Sequence, residues 1–209
     1  MIYKVVLIGT KGAGKSALVE RIVNNKFKDS DFPRDEIGFV RTTIPAECGE
    51  IELAFWDPGF QCRSYHTLMA NVSVILFCVD QSNVNALKDP SLLEYCPADA
   101  IKILVPTKAD QQAKISNLEL EVFSAEKKFI LADPVSAKRG ENIINLTQKI
   151  SSQLSQRARA ASVNTDAFLA LVPTTARSRS FWDFFSCCCA KQPKSSELTK
   201  NLLVSHNLR

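Results

Sequence analysis

Eight residues near the start of the chain, Gly9-Thr10-Lys11-Gly12-Ala13-Gly14-Lys15-Ser16, fit the spacing G-x-x-x-x-G-K-[ST] without a gap. Each part has a chemical task. Glycines let a loop curl until its backbone N–H groups converge on phosphate oxygens. A helix beginning at the end of the loop adds a positive N-terminus. Lys15 is placed to reach β- and γ-phosphates, and Ser16 offers a hydroxyl to Mg²⁺. The motif means this only with a buried strand before it and a helix after it. Both are present: Ile2 to Ile8 is a near-continuous apolar run, and Ser16 to Val23 carries apolar residues at helical spacing.

Such a loop serves ATP and GTP alike, and two later segments bear on the choice. Val105-Pro106-Thr107-Lys108-Ala109-Asp110 closes one apolar strand-like run, and Ser136-Ala137-Lys138 stands between a short strand and a helical stretch. With these segments in this order, residues 1–156 resemble a Ras-superfamily small GTPase, Rab-like in layout. The resemblance implies a guanine-nucleotide site with GTP or GDP and Mg²⁺ as its ligands. It assigns the phosphate end to Gly9, Lys11, Gly12, Ala13, Gly14, Lys15, Ser16 and Ala17. It assigns the base end to Phe27, Thr107, Lys108, Asp110, Ser136, Ala137 and Lys138. Within that set Asp110 accepts from the guanine N1–H and 2-amino group, Lys108 packs on the nucleotide, and the Ala137 N–H donates to the guanine oxygen. Phe27 edges the base. Trp56-Asp57 matches the family's W-D, so Asp57 joins Ser16 in organising Mg²⁺. Gln61 is the residue placed to orient the attacking water.

The sequence departs from that family where hydrolysis and switching are decided. The threonine expected to sense the γ-phosphate falls on Glu36 by one alignment and Arg34 by another, and Thr42 and Thr43 stand too far along. A glutamate there either ligates Mg²⁺ through a carboxylate oxygen or is a solvated loop residue, and its charge beside the γ-phosphate favours the second. The family's D-x-A-G-Q reads Asp57-Pro58-Gly59-Phe60-Gln61, with phenylalanine in a slot whose glycine permits close approach or positive φ. Lys11 occupies a position that is usually small. It obstructs the water or an inserted arginine, lies in solvent, or supplies a cation in place of that arginine, and the first two readings stand ahead of the third. Thr107 is the less usual first residue of its motif.

The elements that must position these residues follow from periodicity. Strands are expected at Ile2–Ile8, Phe39–Ala46, Ile51–Phe55, Val72–Val79, Ile101–Val105 and Phe129–Leu131. Helices are expected after the glycine turn and at 86–95, 116–127 and 140–156, the stretch between Asp80 and Lys108 being short. The order predicts an α/β fold: a P-loop NTPase three-layer sandwich with a mainly parallel six-stranded sheet and helices on both faces. The domain is expected to span 1–156, and 157–209 to form a linker and flexible tail.

Composition excludes some classes. The chain has 209 residues, 45% of them apolar and 23% charged, which is globular rather than disordered, and no run is long enough to span a bilayer. No secretory signal order opens the chain, so a cytoplasmic place is expected. Residues 1–156 carry 18 basic against 19 acidic residues, whereas 157–209 carry 8 against 3, so the basic excess belongs to the tail. That suits an anionic membrane surface, and the body lacks the interleaved aromatics of a single-strand nucleic-acid binder. Of seven cysteines none forms a CxxC pair, so zinc is not indicated, and Cys78 reads as core. Cys187, Cys188 and Cys189 are consecutive but lie 20 residues from the end, which disfavours prenylation and leaves S-acylation. Phe181, Trp182, Phe184 and Phe185 beside them suit a bilayer interface, with Arg177, Arg179, Lys191 and Lys194 facing anionic lipid.

The expected function is therefore a guanine-nucleotide switch of Rab-like type at the cytosolic face of a membrane, and the resemblance implies a monomer. Intrinsic hydrolysis should be slow, and effectors and regulators should meet it through residues 28–70. The alternative is a pseudo-GTPase, a membrane adaptor indifferent to nucleotide. A P-loop kinase is a third reading, weaker because it leaves the Thr107–Asp110 and Ser136–Lys138 segments unexplained.

Overall fold

A strand buried on both faces reads as a near-continuous apolar run, and Val74–Asp80 (β4) is apolar up to its terminal aspartate: all seven of its residues are buried. It lies inside a six-stranded sheet of order β2-β3-β1-β4-β5-β6. The other strands are Ile2–Ile8 (β1), Gly38–Ala46 (β2), Gly49–Asp57 (β3), Ile101–Thr107 (β5) and Ile130–Leu131 (β6). All neighbours pair in parallel except β2, which runs antiparallel to β3 from Gly38 opposite Asp57 to Ala46 opposite Gly49. The computed structural model describes residues 1–27, 38–47, 49–58, 65–88 and 91–171. The chain divides into two compact units, Met1–Ala160, which holds the whole sheet, and Ala161–Arg209.

The period-two alternation of strand side chains sorts the core into two layers. Val5, Leu7, Leu53, Phe55, Leu76, Cys78, Ile103 and Val105 face one side and meet Leu18 and Val19 of α1 (Lys15–Asn24). They also meet Ile143, Leu146, Ile150 and Leu154 of α4 (Ile143–Leu171). Val6, Ile8, Ile75, Phe77, Val79 and Leu104 face the other side and meet Leu68 and Met69 of α2 (Tyr65–Met69). On that side α3 (Asn117–Lys127) contributes Leu120, and Phe123 stacks with Phe77 at 5.9 Å. These are the three layers and the mainly parallel sheet that the sequence predicts.

The entry to α3 is specified locally. Ser116 accepts the Glu119 N–H at 3.2 Å, while the Glu119 carboxylate accepts the Ser116 N–H at 2.7 Å, a reciprocal capping box. Hydrogen bonds donated to it by the Ser116 N–H and by the Ser116 hydroxyl hold the Glu119 carboxyl below its ordinary pKa. Ser116→Ala is expected to cost about 1 kcal/mol of stability, read as a lowered midpoint in urea unfolding with an unchanged m-value.

Two expectations are corrected. No α-helix forms at 86–95; among the described residues the segment is a series of turns followed by a 3-10 helix at Ser91–Tyr95. Ala86 donates to Asn83 and Lys88 to Asn85, the Asn83 side chain accepts the Asn85 N–H at 3.0 Å, and Pro90 interrupts the window. Asparagine side chains that bond their own backbone compete with helix, and proline cannot continue one. The last helix also differs from the expected 140–156. It begins at Ile143, after left-handed Gly140 and Asn142, and runs to Leu171 through residues read as linker. Residues 157–161 are Arg, Ala, Arg, Ala and Ala, strong helix formers, and no Gly or Pro appears before Pro173. The strand bounds otherwise shift by one or two residues, as ladder ends do.

Candidate functional site

The parallel strands β1, β3, β4 and β5 all end at one edge of the sheet, where ligands of open α/β folds bind. The glycine loop emerges there from β1. Gly9, Gly12 and Gly14 have φ of 140°, 78° and 83°, conformations that side chains resist. A Cβ on Gly9 would stand 2.2 Å from the Cys78 carbonyl oxygen of β4, so the loop leaves the sheet by a path only glycine fits. A turn from Thr10 to Ala13, closed at 3.2 Å, curls the loop into α1. The Lys15 ammonium lies back over it, donating to Gly9 O at 2.9 Å and Thr10 O at 3.0 Å. Ala17 sits in the first turn of α1, and Lys11 is exposed at the loop's tip.

Asp57 ends β3 directly beside that helix start. It is 7% exposed and accepts a short hydrogen bond from the Ser16 hydroxyl. A hydroxyl and a carboxylate in contact are hard oxygen donors of the kind Mg²⁺ selects, and magnesium takes few protein ligands beside phosphate. The residues therefore fit the ion that the sequence implies. Cys78 lies just beneath. Burial pushes its thiol up to about 12, with Lys15 pulling it down and Asp57 pushing it up, so it is an inert core residue as expected.

The end of β5 joins this loop to a second cluster. The buried Thr107 hydroxyl lies 2.7 Å from Ala13 O and 3.1 Å from Val79 O. It has one proton to donate, so the nearer carbonyl, that of the glycine loop, takes most of it. Lys108, left-handed at φ 58°, places its ammonium 2.8 Å from Asp80. Burial alone would raise the Asp80 pKa. Hydrogen bonds from Lys108 and from Ser82 outweigh it, and the carboxyl is held below its usual range. Asp110 accepts the Ser136 hydroxyl at 2.7 Å, and the same oxygen of Ser136 accepts the Arg139 N–H at 3.0 Å. Ser136 is fully buried. Its carbonyl accepts from Gly140 at 2.8 Å and Glu141 at 3.1 Å, closing the loop that carries Ala137 and Lys138.

One participant escapes sequence reading. Arg21, in the last turn of α1, donates through Nε to Ala137 O at 2.6 Å and through Nη2 to Lys138 O at 2.9 Å. Its Nη1 reaches Asn25 O at 2.9 Å and Asn25 Oδ1 at 3.2 Å. Half-buried Phe27 follows two residues after Asn25. The only sequence signal is a cation at a helix C-terminus, common to many surface helices.

Most of the expected residues thus gather at one sheet edge: the 9–17 loop and helix start, Asp57, Thr107–Asp110 and Ser136–Lys138. Thr42 and Thr43 lie within β2, opposite Leu53 and Glu52, on the strand itself as expected. Arg34, Glu36, Gly59, Phe60, Gln61 and Cys187–Cys189, with the remainder of the tail from 172, lie outside the described residues. A cavity of about 340 Å³ lined by His66, Met69, Tyr95, Pro97 and Asp99 sits by the entries to β4 and β5, and belongs to the opposite edge.

The chain is similar in sequence to known proteins over most of its length. The model of the Ras family matches residues 4–156. The chain is 26% identical over 204 residues to Ras-related protein Rab-17 of Homo sapiens, covering 90% of this chain and 91% of that protein. It is 23% identical to Ras-related protein Rab-4 of Dictyostelium discoideum, covering 79% and 85%. It is 29% identical to Ras-related protein RABF2a of Arabidopsis thaliana, covering 72% and 80%.

Proposed function

We propose that this chain, which belongs to the Ras family and is a Rab-like small GTPase, binds GDP and GTP with Mg²⁺ and switches between the two states at a membrane. The observation that carries the reading is the Thr107–Ala13 hydrogen bond. It ties a phosphate cradle to a segment bearing a base-sized set of polar groups, so that one ligand with both a phosphate and a base can bridge them.

In this reading the backbone N–H groups of residues 12–17 and the Lys15 ammonium hold the phosphates. Ser16 and Asp57 hold Mg²⁺, which when bound neutralises charge between the β- and γ-phosphates. Asp110, braced by Ser136, selects guanine by accepting from N1–H and the 2-amino group, and the Ala137 N–H faces the 6-oxo group. Lys108, anchored on Asp80, lies along the nucleotide, and Phe27 edges the base. Gln61 orients water. Glu36 or Arg34, and Phe60, stand where a threonine and a glycine usually complete the γ-phosphate contact, Lys11 adds bulk at a position that is usually small, and unaided hydrolysis is slow for that reason. Residues 28–70 meet effectors, and the basic, aromatic and cysteine-bearing tail meets anionic lipid, with acylation of Cys187–Cys189 as its anchor. No described helix is long and apolar enough to cross a membrane.

Competition against a fluorescent GDP analogue in Mg²⁺ tests the central part. GDP and GTP are expected to displace it at nearly equal, submicromolar concentrations, and ADP and ATP only at about a thousandfold higher ones. Displacement by adenine nucleotides at matching concentrations would remove the guanine reading. Rapid single-turnover hydrolysis would remove the slow one.

A further inference from the structure

We infer that Arg21 is a positioning residue for the base: it fixes the Ala137 loop and the Phe27 approach at once, and thereby sets how tightly the 6-oxo group is recognised. The inference rests on the guanine reading given above.

The geometry is specific. Ala137 and Lys138 are 116 and 117 positions from Arg21, so the contact is purely tertiary. Nε and Nη2 form one edge of the planar guanidinium and donate in parallel to two successive carbonyls. Two successive peptide planes are thereby held relative to α1. The plane before them is held from its other side, because Ser136 O accepts from Gly140 and Glu141. In a trans peptide the Ala137 N–H points opposite to that carbonyl, and the chain has no cis bond among its described residues. The Ala137 N–H is thus aimed by bonds on both flanks, one of them Arg21.

The remaining nitrogen does separate work. At the end of α1, Asn25 is left-handed with φ 50°, and its N–H returns to Arg21 O at 3.1 Å. Nη1 holds the Asn25 carbonyl and side-chain oxygen, two acceptors at a helix C-terminus where acceptors outnumber donors. This fixes the chain two residues before Phe27. One cation therefore spans both protein edges of the base site, and a lysine, with a point charge and no fork, cannot make the same set of bonds.

The test uses the full chain loaded with nucleotide and Mg²⁺. Release rates and affinities are compared for GDP, for IDP, which lacks the 2-amino group, and for 6-thio-GDP, which keeps N1–H and the 2-amino group but replaces the 6-oxo acceptor with sulfur. Arg21→Gln is expected to speed GDP release about tenfold. It should also bring the GDP to 6-thio-GDP affinity ratio towards one and leave the GDP to IDP ratio unchanged. Arg21→Lys should shift the same ratio part of the way, and it carries the test if the glutamine variant does not fold. A loss equal for all three nucleotides, or a change in the IDP ratio alone, would overturn the inference while leaving the guanine reading in place. A wild-type chain that retains no GDP would overturn both.

Discussion

Replacing Asp110 by asparagine is expected to lower the affinity for GDP by about 100- to 1,000-fold, equivalent to roughly 3–4 kcal/mol. The Asp110 carboxylate is braced from one side, where Oδ1 accepts the Ser136 hydroxyl at 2.7 Å. In the proposed complex it accepts from two guanine donors, and hydrogen bonds to a charged acceptor contribute about 1.5–3 kcal/mol each. Asparagine turns half of that acceptor into a donor and sets N–H against N–H. Because an unpaired buried donor costs more than a missing contact, the variant should lose more than a simple deletion would. The same swap suits xanthine, whose 2-oxo group accepts. The ratio of XDP to GDP affinity should therefore rise by more than the GDP loss alone explains. Isothermal titration of both nucleotides reads it. Equal losses for GDP and XDP would mean that Asp110 supports the fold rather than the base.

Lys15→Ala is the second large effect. The ammonium is held across the glycine loop by Gly9 O and Thr10 O, which uses two of its three donors and leaves one for a phosphate oxygen. Removing one member of a desolvated charge pair costs about 3–5 kcal/mol, so the affinity for GDP should fall at least about 100-fold. The loss should depend on phosphate number, large for GDP and GTP and small for GMP, whose single phosphate ends short of the lysine's reach. An equal loss for GMP would indicate a collapsed loop rather than a missing phosphate contact. Measuring the three ligands side by side separates the two.

The residues of this site are legible in the sequence to different degrees, for physical reasons. The glycine loop is legible because its spacing answers a local demand: positive φ at Gly9, Gly12 and Gly14, and a helix that starts at Lys15. The strands are legible because β1, β4 and β5 are buried by neighbours on both faces and read as apolar runs. The 86–95 segment misleads because its apolar spacing suits a helix, while Asn83, Asn85 and Pro90 each favour turns. The long α4 was hidden by a change of composition that reads as a linker, although Ala and Arg are good helix formers with or without a core to pack on. Arg21 and the Asp80 partner of Lys108 illustrate what no local pattern carries. Their roles come from contacts across the fold, and a charged residue on a helix end or strand end reads as solvated until those contacts are known.

The most direct test of the guanine-switch account is to denature the purified full-length chain and identify the nucleotide it releases by chromatography against GDP, GTP, ADP and ATP standards. The account predicts about one guanine nucleotide per chain, with GTP well represented because hydrolysis is slow. The Asp110→Asn chain run beside it should carry far less. An empty wild-type chain that also fails to take up added GDP at micromolar concentration would contradict it, as would a chain that releases ADP or ATP.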